Sequence, residues 1–261
     1  MNDVTAVQAA AWLGAQVLWL YAAMAILLAA VTLIGWRLLA HRAAVTTQVM
    51  RLAAGCAVAT LSAMTFAWLA KELRAGPQLS ALDEAFTHAL AHAIPDAVVR
   101  AASLLTRLGD PATLTALGVV VGVALLMRRH VGLMLGWAVA LGGNGLLNPA
   151  LKEFFMRMRP LRGADGASAE GFSFPSGHSS GTVVAFGMLA YLGLRLLPPR
   201  WHLPVLLAAV LLAFSVGISR VLLRVHYASD VAAGFASGTA WLALCITGIG
   251  LCRWLAHRAQ L

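Results

Sequence analysis

Seven long apolar runs restrict what this chain can fold into more than any other feature of its sequence. An α-helix of about 20 residues crosses the roughly 30 Å hydrocarbon core of a bilayer, and each run approaches or exceeds that length. The runs cover residues 12–36, 52–70, 111–127, 131–151, 176–194, 203–219 and 231–251. Only 11% of the 261 residues are charged, whereas soluble domains average about 25%. We therefore predict an all-α fold, a polytopic transmembrane helix bundle of about seven spans.

The segments between the runs predict further helix boundaries. Residues 71–107 form a polar, amphipathic stretch that two prolines interrupt. Asp110 followed by Pro111 indicates a helix start, because aspartate caps helices and proline fits the first helical position. A loop rich in Gly, Ala, Ser and Arg, residues 156–175, joins the fourth run to the fifth. The N-terminus lacks a basic region and its apolar run is too long for a signal peptide, so we expect a retained helix there.

Charge placement predicts the orientation in the membrane. Seven spans place the two termini on opposite sides, and the loops of one side carry arginines and no acidic residue. Short, purely basic loops face the cytoplasm by the positive-inside rule. We therefore expect the N-terminus outside and the C-terminus inside. The arginines of the cytoplasmic side are Arg37, Arg42, Arg51, Arg128, Arg129, Arg195, Arg200, Arg253 and Arg258.

Three short polar clusters interrupt the apolar pattern, and all three fall on the predicted outer side. A single Lys or Arg at the end of a span usually only reaches the lipid headgroups. Three clusters on one face are different, because ionisable groups at the ends of a bundle are costly unless they are paired or used. The clusters are Lys152, Arg159 and Pro160; Pro175, Ser176, Gly177 and His178; and Ser219, Arg220, His226 and Asp230.

The second cluster has the properties of an anion site. Ser176 can cap the following helix, and Gly177 lets the backbone approach another group closely. The N–H groups and partial positive charge of a helix start favour phosphate. Lys152, Arg159 and Arg220 can add cations, the arginines in a forked geometry that lysine lacks. This combination suits phosphoryl transfer, which needs cations on the non-bridging oxygens, an in-line nucleophile and an acid for the leaving group.

Taken together, the clusters resemble the type 2 phosphatidic acid phosphatase superfamily, which shares its site with the vanadium haloperoxidases. The family pattern is K-x6-RP, PSGH and SR-x5-H-x3-D, and every position of it is present between Lys152 and Asp230. The resemblance covers the chain from about Asp110 to the seventh run. Membrane members typically have six spans, so the resemblance implies that residues 1–44 add one transmembrane helix to a catalytic bundle of residues 45–261.

The resemblance also implies a role for each site residue. His226 would be the nucleophile and would form a phosphohistidine, while Asp230 would accept the other ring N–H of His226. His178 would protonate the leaving oxygen and then activate water. No metal or other cofactor is required in this family. The residues that would bind the substrate phosphate are Lys152, Arg159, Ser176, Gly177 and Arg220.

We expect no metal site or disulfide elsewhere in the chain. The acidic residues of the outer side are not clustered as ligands of a hard cation would be. His88 and His92 have helical spacing, but without a third ligand an exposed helix face is the better interpretation. Cys56, Cys245 and Cys252 lie in apolar runs and form no CxxC pair, so we interpret them as small hydrophobic residues.

The predicted substrate is a lipid with its phosphate at the membrane surface and its apolar tail between helices. Undecaprenyl diphosphate, phosphatidylglycerol phosphate and phosphatidic acid all fit, and lipid A phosphatase or phosphotransferase activity is an alternative. We favour undecaprenyl diphosphate, because members of the family on the outer face of bacterial membranes often recycle this carrier. The Arg-, Ala- and Leu-rich composition is typical of a GC-rich bacterium, and the predicted location is its inner membrane. Membrane lipids are the expected partners and nucleic acid is not, while the sequence does not predict the oligomeric state.

Two other classes of function have less support. A vanadium haloperoxidase would use the same anion cradle, but those enzymes are soluble and seven spans argue against one. A transporter or scaffold without enzymatic activity would place charges near the middle of its spans. The middles of most runs are uncharged here.

Overall fold

The computed structural model describes residues 3–42, 48–160 and 171–258, and within these ranges the protein is a bundle of ten α-helices without strands. This confirms the all-α prediction. Residues 161–170 of the predicted loop lie outside the described ranges. In chain order the helices are α1 (Asp3–Ala15), α2 (Val17–Arg42), α3 (Gln48–Ala75), α4 (Gln78–Ala93), α5 (Asp96–Thr106), α6 (Pro111–Met127), α7 (Val131–Phe155), α8 (Gly177–Leu196), α9 (His202–Leu222) and α10 (Ala228–Arg258).

Six of the described helices are long and apolar enough to cross a membrane, namely α2, α3, α7, α8, α9 and α10. A seventh span results if α5 and α6, joined by the short 3-10 turn Arg107–Gly109, count as one segment with a bend of 43°. The bend falls at Asp110, which precedes proline and has an extended backbone conformation, as residues before proline prefer. The expected number of about seven spans agrees with this arrangement.

The first apolar run differs from its prediction as a single helix. The chain breaks at Gln16, so the run begins in α1 and continues in α2. With 13 residues, α1 extends only about 20 Å and is too short to span a bilayer. It packs instead against α4. Gly14 makes that close approach possible, because a Cβ there would lie 2.7 Å from the Phe86 carbonyl oxygen.

The interior of the bundle is formed around α8, which packs against α7, α9 and α10. Two indole hydrogen bonds join neighbouring helices inside the membrane region. Trp137 Nε1 of α7 donates to the Gly118 carbonyl of α6 over 2.8 Å, and Trp241 Nε1 of α10 donates to the Ala140 carbonyl of α7 over 2.8 Å. This packing brings the end of α7, the start of α8 and the connection between α9 and α10 to one end of the bundle.

Candidate active site

A cavity of about 750 Å³ at this end of the bundle brings the three sequence clusters together. Four helices, α6, α7, α8 and α9, supply most of its walls. The cluster residues that line it are Lys152, Arg159, Gly177, His178, Arg220 and His226. Asp230 and Ser176 are fully buried next to this cavity and are not among its lining residues.

His226 lies in the connection between α9 and α10 and is only 1% exposed. Its Nε2 is 3.0 Å from Arg159 Nη1, and its Nδ1 is 3.4 Å from Asp230 Oδ2. A guanidinium group can only donate hydrogen bonds, so Nε2 must be the accepting nitrogen. The proton of the neutral ring then resides on Nδ1, where it faces the Asp230 carboxylate.

The environment of His226 keeps its ring neutral. Burial is the main cause, and the nearby Arg159 and Arg220 cations add to it, so that the pKa of His226 is lowered to about 3 despite the Asp230 carboxylate. A neutral imidazole has a free lone pair on its unprotonated nitrogen. The Nε2 atom therefore has the electronic state that a nucleophile requires at physiological pH.

Arg157 holds Asp230 from the side opposite His226. Its Nη1 donates to Asp230 Oδ1 over 2.8 Å and to Ser229 Oγ over 2.7 Å, and its Nη2 donates to Asp83 Oδ2 over 2.9 Å. Ser229 also donates to Asp83 through its backbone N–H and its hydroxyl. The Tyr227 ring packs against the guanidinium group at 4.4 Å. Burial lowers the pKa of Arg157, but the Asp230 and Asp83 carboxylates outweigh burial and raise it.

Because of these contacts, both oxygens of Asp230 are engaged. Oδ1 accepts from Arg157, while Oδ2 accepts from the Tyr227 backbone N–H over 2.9 Å and faces His226. The carboxylate plane is thereby fixed. In the sequence Arg157 lies between Lys152 and Arg159 of the first cluster, but nothing there points to Asp83, which lies 74 residues away on α4.

The second histidine of the cavity has a carboxylate partner that the sequence analysis missed. His178 Nε2 lies 2.9 Å from Asp110 Oδ1. Pro111 is the first residue of α6, as predicted, but the Asp110 side chain forms no capping hydrogen bond. The carboxylate instead points to His178. The available signal was an acidic residue at a span end on the same side as the three clusters.

The three predicted phosphate-binding cations have no carboxylate partner among the described residues. Arg220 Nη1 donates to Thr106 Oγ1 over 2.9 Å, and its Nε is buried without a hydrogen bond within those residues. Arg159 donates to the carbonyls of Val225 and Gly171, while burial lowers its pKa. Since Lys152 lines the cavity as well, the cavity carries unbalanced positive charge. Such a cavity favours an anion with several oxygens.

The start of α8 is built as the sequence predicts. Ser176 is the N-cap residue, and its Oγ accepts from the Ser179 N–H and from the Ser179 hydroxyl. The hydroxyl of Ser176 is therefore directed at its own helix. Gly177 lines the cavity, and a Cβ there would lie 2.9 Å from Asn148 Oδ1. Asn148 in turn donates to Ser180 Oγ over 3.2 Å, which anchors α8 to α7.

The histidine pair on α4 takes no part in this site. The ring centroids of His88 and His92 are 5.7 Å apart. Within the ranges that the structure describes, no group of three or more His, Cys, Asp or Glu residues is arranged to hold a metal ion.

Fold and site together define an integral membrane helix bundle with a cation-lined cavity that contains two histidines. The chain belongs to the PAP2 superfamily, which matches residues 131–254. That range contains all three sequence clusters. It excludes Asp83 and Asp110, the two carboxylates that contact the site from α4 and from the start of α6.

Three proteins of similar sequence are phosphatases. Phosphatidylglycerophosphatase B of Bacillus subtilis is 36% identical over 136 residues, which is 51% of this chain and 66% of that protein. Lipid A 1-phosphatase of Rhizobium etli is 33% identical over 173 residues, 58% of this chain and 70% of that protein. Lipid A 1-phosphatase of Rhizobium johnstonii is 40% identical over 111 residues, 39% of this chain and 41% of that protein. The chain thus spans just under two thirds of the first relative and less than half of the third.

A solved structure has the same fold. The crystal structure of the transmembrane PAP2 type phosphatidylglycerolphosphate phosphatase from Bacillus subtilis matches with a TM-score of 0.68 and 29% sequence identity. The match covers 72% of this chain and 94% of that one. The transmembrane helix bundle expected from the sequence is therefore confirmed.

Proposed function

We propose that this chain is a membrane lipid phosphatase that removes a phosphomonoester or diphosphate group through a phosphohistidine on His226. The observation that carries this proposal is the cavity itself. Three cations without a carboxylate partner among the described residues line it, two histidines line the same space, and the cavity continues between α6 and α7 along apolar side chains. A phosphate attached to a hydrocarbon chain fits both parts of such a space.

In the first half of the proposed reaction, Lys152, Arg159 and Arg220 bind the non-bridging phosphate oxygens, together with the N–H groups at the start of α8. The Nε2 lone pair of His226 attacks phosphorus, and Arg159 transfers its hydrogen bond from Nε2 to a phosphate oxygen. The bond between phosphorus and the lipid oxygen breaks as His178 gives that oxygen a proton. Asp230 stabilises the resulting imidazolium through Nδ1–H. A phosphate contact of the Ser176 hydroxyl stays a prediction.

In the second half, His178 accepts a proton from water. The water oxygen attacks phosphorus, the bond between phosphorus and Nε2 breaks, and inorganic phosphate leaves with the ring of His226 neutral again. Asp110 holds the His178 ring through Nε2. The steps described here need only these side chains, water and the lipid substrate.

The orientation and domain organisation are part of the same proposal. The distribution of basic loops supports a site on the outer face of a bacterial inner membrane, with the N-terminus outside and the C-terminus inside. Residues 1–44 form an addition to a catalytic bundle of residues 45–261. Tagging each terminus with a reporter that is active on only one side of the membrane tests this orientation.

The identity of the lipid has three candidate answers. Undecaprenyl diphosphate is the prediction from the sequence. Phosphatidylglycerol phosphate and lipid A are favoured by the names of the relatives, one of which has a matching solved structure. Phosphate release by the purified protein from each of these lipids distinguishes between them, and it also separates hydrolysis from transfer to an acceptor lipid.

The same assay tests the proposed activity. His226→Ala should abolish both turnover and acid-labile labelling by lipid with a radioactive phosphate. Undiminished labelling of His226→Ala would refute the assigned nucleophile. Full biological activity of this variant would instead support a transporter or scaffold, and vanadate-dependent halide oxidation would support the haloperoxidase alternative.

A further inference from the structure

The residues of α7 that line the cavity change from charged to polar to apolar with increasing depth. Lys152, Asn148 and Asn144 are spaced four residues apart, so they lie on one face of α7 at successive turns. At about 1.5 Å per residue, the two amides lie roughly 6 Å and 12 Å below Lys152 along the helix axis. All three residues line the cavity. Below them the lining is apolar and includes Leu141 and Ala138.

The two amides in this row have different surroundings. Asn148 donates to Ser180 Oγ and packs against Gly177, so it is committed to anchoring α8. Asn144 is only 8% exposed as a residue, its side chain forms no hydrogen bond with any residue that the structure describes, and its amide keeps its remaining exposure towards the cavity. Its amide lines the cavity opposite Gly181 of α8.

A ligand that fills the cavity takes water away from this amide, and covering the amide without pairing it is costly because its hydrogen bonds to water are lost and none is gained. The cost is avoided if a ligand supplies the partner. Asn144 offers two N–H donors and one acceptor oxygen. It lies between the cations that would bind phosphate and the apolar part of the cavity, where a hydrocarbon chain would lie.

Building on the function proposed above, we propose that Asn144 donates a hydrogen bond to an acyl carbonyl of the substrate, which makes it a specificity-determining residue. Esters and amides of fatty acids place a carbonyl a few bonds from the phosphate, before the hydrocarbon chain begins. The order of phosphate, carbonyl and chain corresponds to the order of Lys152, Asn144 and the apolar lining residues along α7. Polyprenyl phosphates have hydrocarbon directly after the phosphate and leave the amide unpaired.

The cavity therefore selects phosphorylated acyl lipids over phosphorylated polyprenols. Acyl glycerophospholipids and acylated phosphosugars share this chemistry, and both would satisfy the amide. The physical basis of the selection is that a site with a buried polar group rejects a ligand that cannot pair it.

A pair of matched lipids tests the proposal. Dioleoyl phosphatidic acid has two ester carbonyls, whereas its dialkyl ether analogue has the same phosphate and chain length without carbonyls. We expect the purified protein in mixed micelles to show kcat/KM about tenfold higher for the ester, since a tenfold ratio corresponds to about 1.4 kcal/mol, the size of one neutral hydrogen bond. An acylated phosphosugar and undecaprenyl phosphate in the same assay distinguish the two acyl sources from the polyprenol.

Replacement of Asn144 tests whether this residue causes the preference for the ester lipid. Asn144→Leu, of similar volume, should lower kcat/KM for the ester lipid about tenfold and leave the ether analogue unchanged or improved. Asn144→Ala provides a second variant if the leucine protein does not fold. Leu146→Ala is the matched control, because Leu146 is a neighbour on α7 that is 78% exposed and lies outside the cavity.

The outcomes separate this inference from the proposed function. Equal rates with ester and ether lipids in the unsubstituted protein, or an equal loss for both in Asn144→Leu, would overturn the role of Asn144 and leave the phosphatase proposal intact. Faster turnover of undecaprenyl phosphate than of both acyl lipids would also overturn it. Release of no phosphate from any of these lipids or from undecaprenyl diphosphate would overturn both proposals.

Discussion

Arg157 Nη1 donates to Asp230 Oδ1 over 2.8 Å, and this contact joins the first sequence cluster to the third behind His226. The other end of the guanidinium group is held by Asp83 on α4. A buried carboxylate next to a histidine can only orient the ring if its own position is fixed. Arg157 supplies that constraint, and α4 contributes to the site although it lies outside the residues that match the superfamily.

Replacement of Arg157 tests this arrangement. Arg157→Lys keeps the charge but lacks the fork that reaches both carboxylates. We predict that kcat falls about 10- to 100-fold with KM little changed, because a small misplacement of the nucleophile slows the chemical step more than binding. Steady-state kinetics in detergent measure kcat and KM separately. Arg195→Lys, on an exposed arginine that contacts Tyr191, is the control, and a rise in KM alone for Arg157→Lys would contradict the prediction.

Replacement of Asp230 tests the carboxylate that faces His226. Asp230→Asn keeps the size of the side chain but presents Nδ1 of His226 with a neutral partner. We predict a correctly folded protein whose turnover falls by up to about 10⁴-fold, the loss seen when an analogous tautomer-fixing aspartate becomes asparagine. Phosphate release and the melting temperature should be measured on the same preparation. An unchanged rate would show that Asp230 is structural only.

The contact between Asp110 and His178 predicts an effect that depends on the leaving group. In Asp110→Asn the protonated His178 ring loses its stabilising charge, so protonation of a lipid alkoxide slows. Nitrophenolate leaves without a proton and makes formation of the phosphoenzyme independent of this step. We therefore predict that single-turnover phosphorylation slows at least about tenfold with a lipid substrate and stays unchanged with p-nitrophenyl phosphate. Equal losses with both substrates would indicate a general structural defect instead.

How much of this site could be read from the sequence depends on where each partner lies. The motif residues are placed at helix ends by short-range spacing, so their convergence was predictable. Asp83 and Thr106 contact their arginine partners across 74 and 114 residues, and those contacts arise only when α4 and α5 pack onto the bundle. Asp110 was recognised as a residue before a helix. An aspartate at that position looks the same in the sequence whether its side chain caps the helix or contacts a histidine.

For the fold, too, the sequence predicts what depends on neighbouring residues and misses what depends on packing between helices. Runs two to seven each coincide with one helix, because a bilayer leaves a long apolar segment little choice of structure. The first run contains a break at Gln16, and no proline lies there to predict it. Its cause is tertiary, since α1 turns aside to pack against α4. Packing between helices is a property that the hydropathy of one segment does not record.

The lowered pKa of His226 predicts how stability depends on pH. Below its ordinary value of 6.5 the ring takes up a proton in the unfolded chain, whereas the folded protein resists protonation until the pH approaches 3. Stability is therefore fully present above pH 6.5 and falls by about 1.4 kcal/mol per pH unit below it. We predict that the melting temperature drops less between pH 7 and pH 4.5 in His226→Gln than in the unsubstituted protein. Identical pH dependence of the two proteins would contradict a neutral, buried His226.

Gly177 provides the last prediction, which concerns binding. In Gly177→Ala the new methyl group would lie 2.9 Å from Asn148 Oδ1, closer than van der Waals contact allows, so either the start of α8 or the Asn148 amide that anchors it through Ser180 must shift. We predict a rise in KM of about tenfold or more, because the N–H groups at the helix start lose their alignment with phosphate. Gly132→Ala, where a Cβ meets nothing within 4 Å, is the control. A double variant with Asn148→Ala removes the clash and should recover part of the loss, since residues in contact are not additive. Strict additivity of the two substitutions would show that Gly177 matters for a reason other than its contact with Asn148.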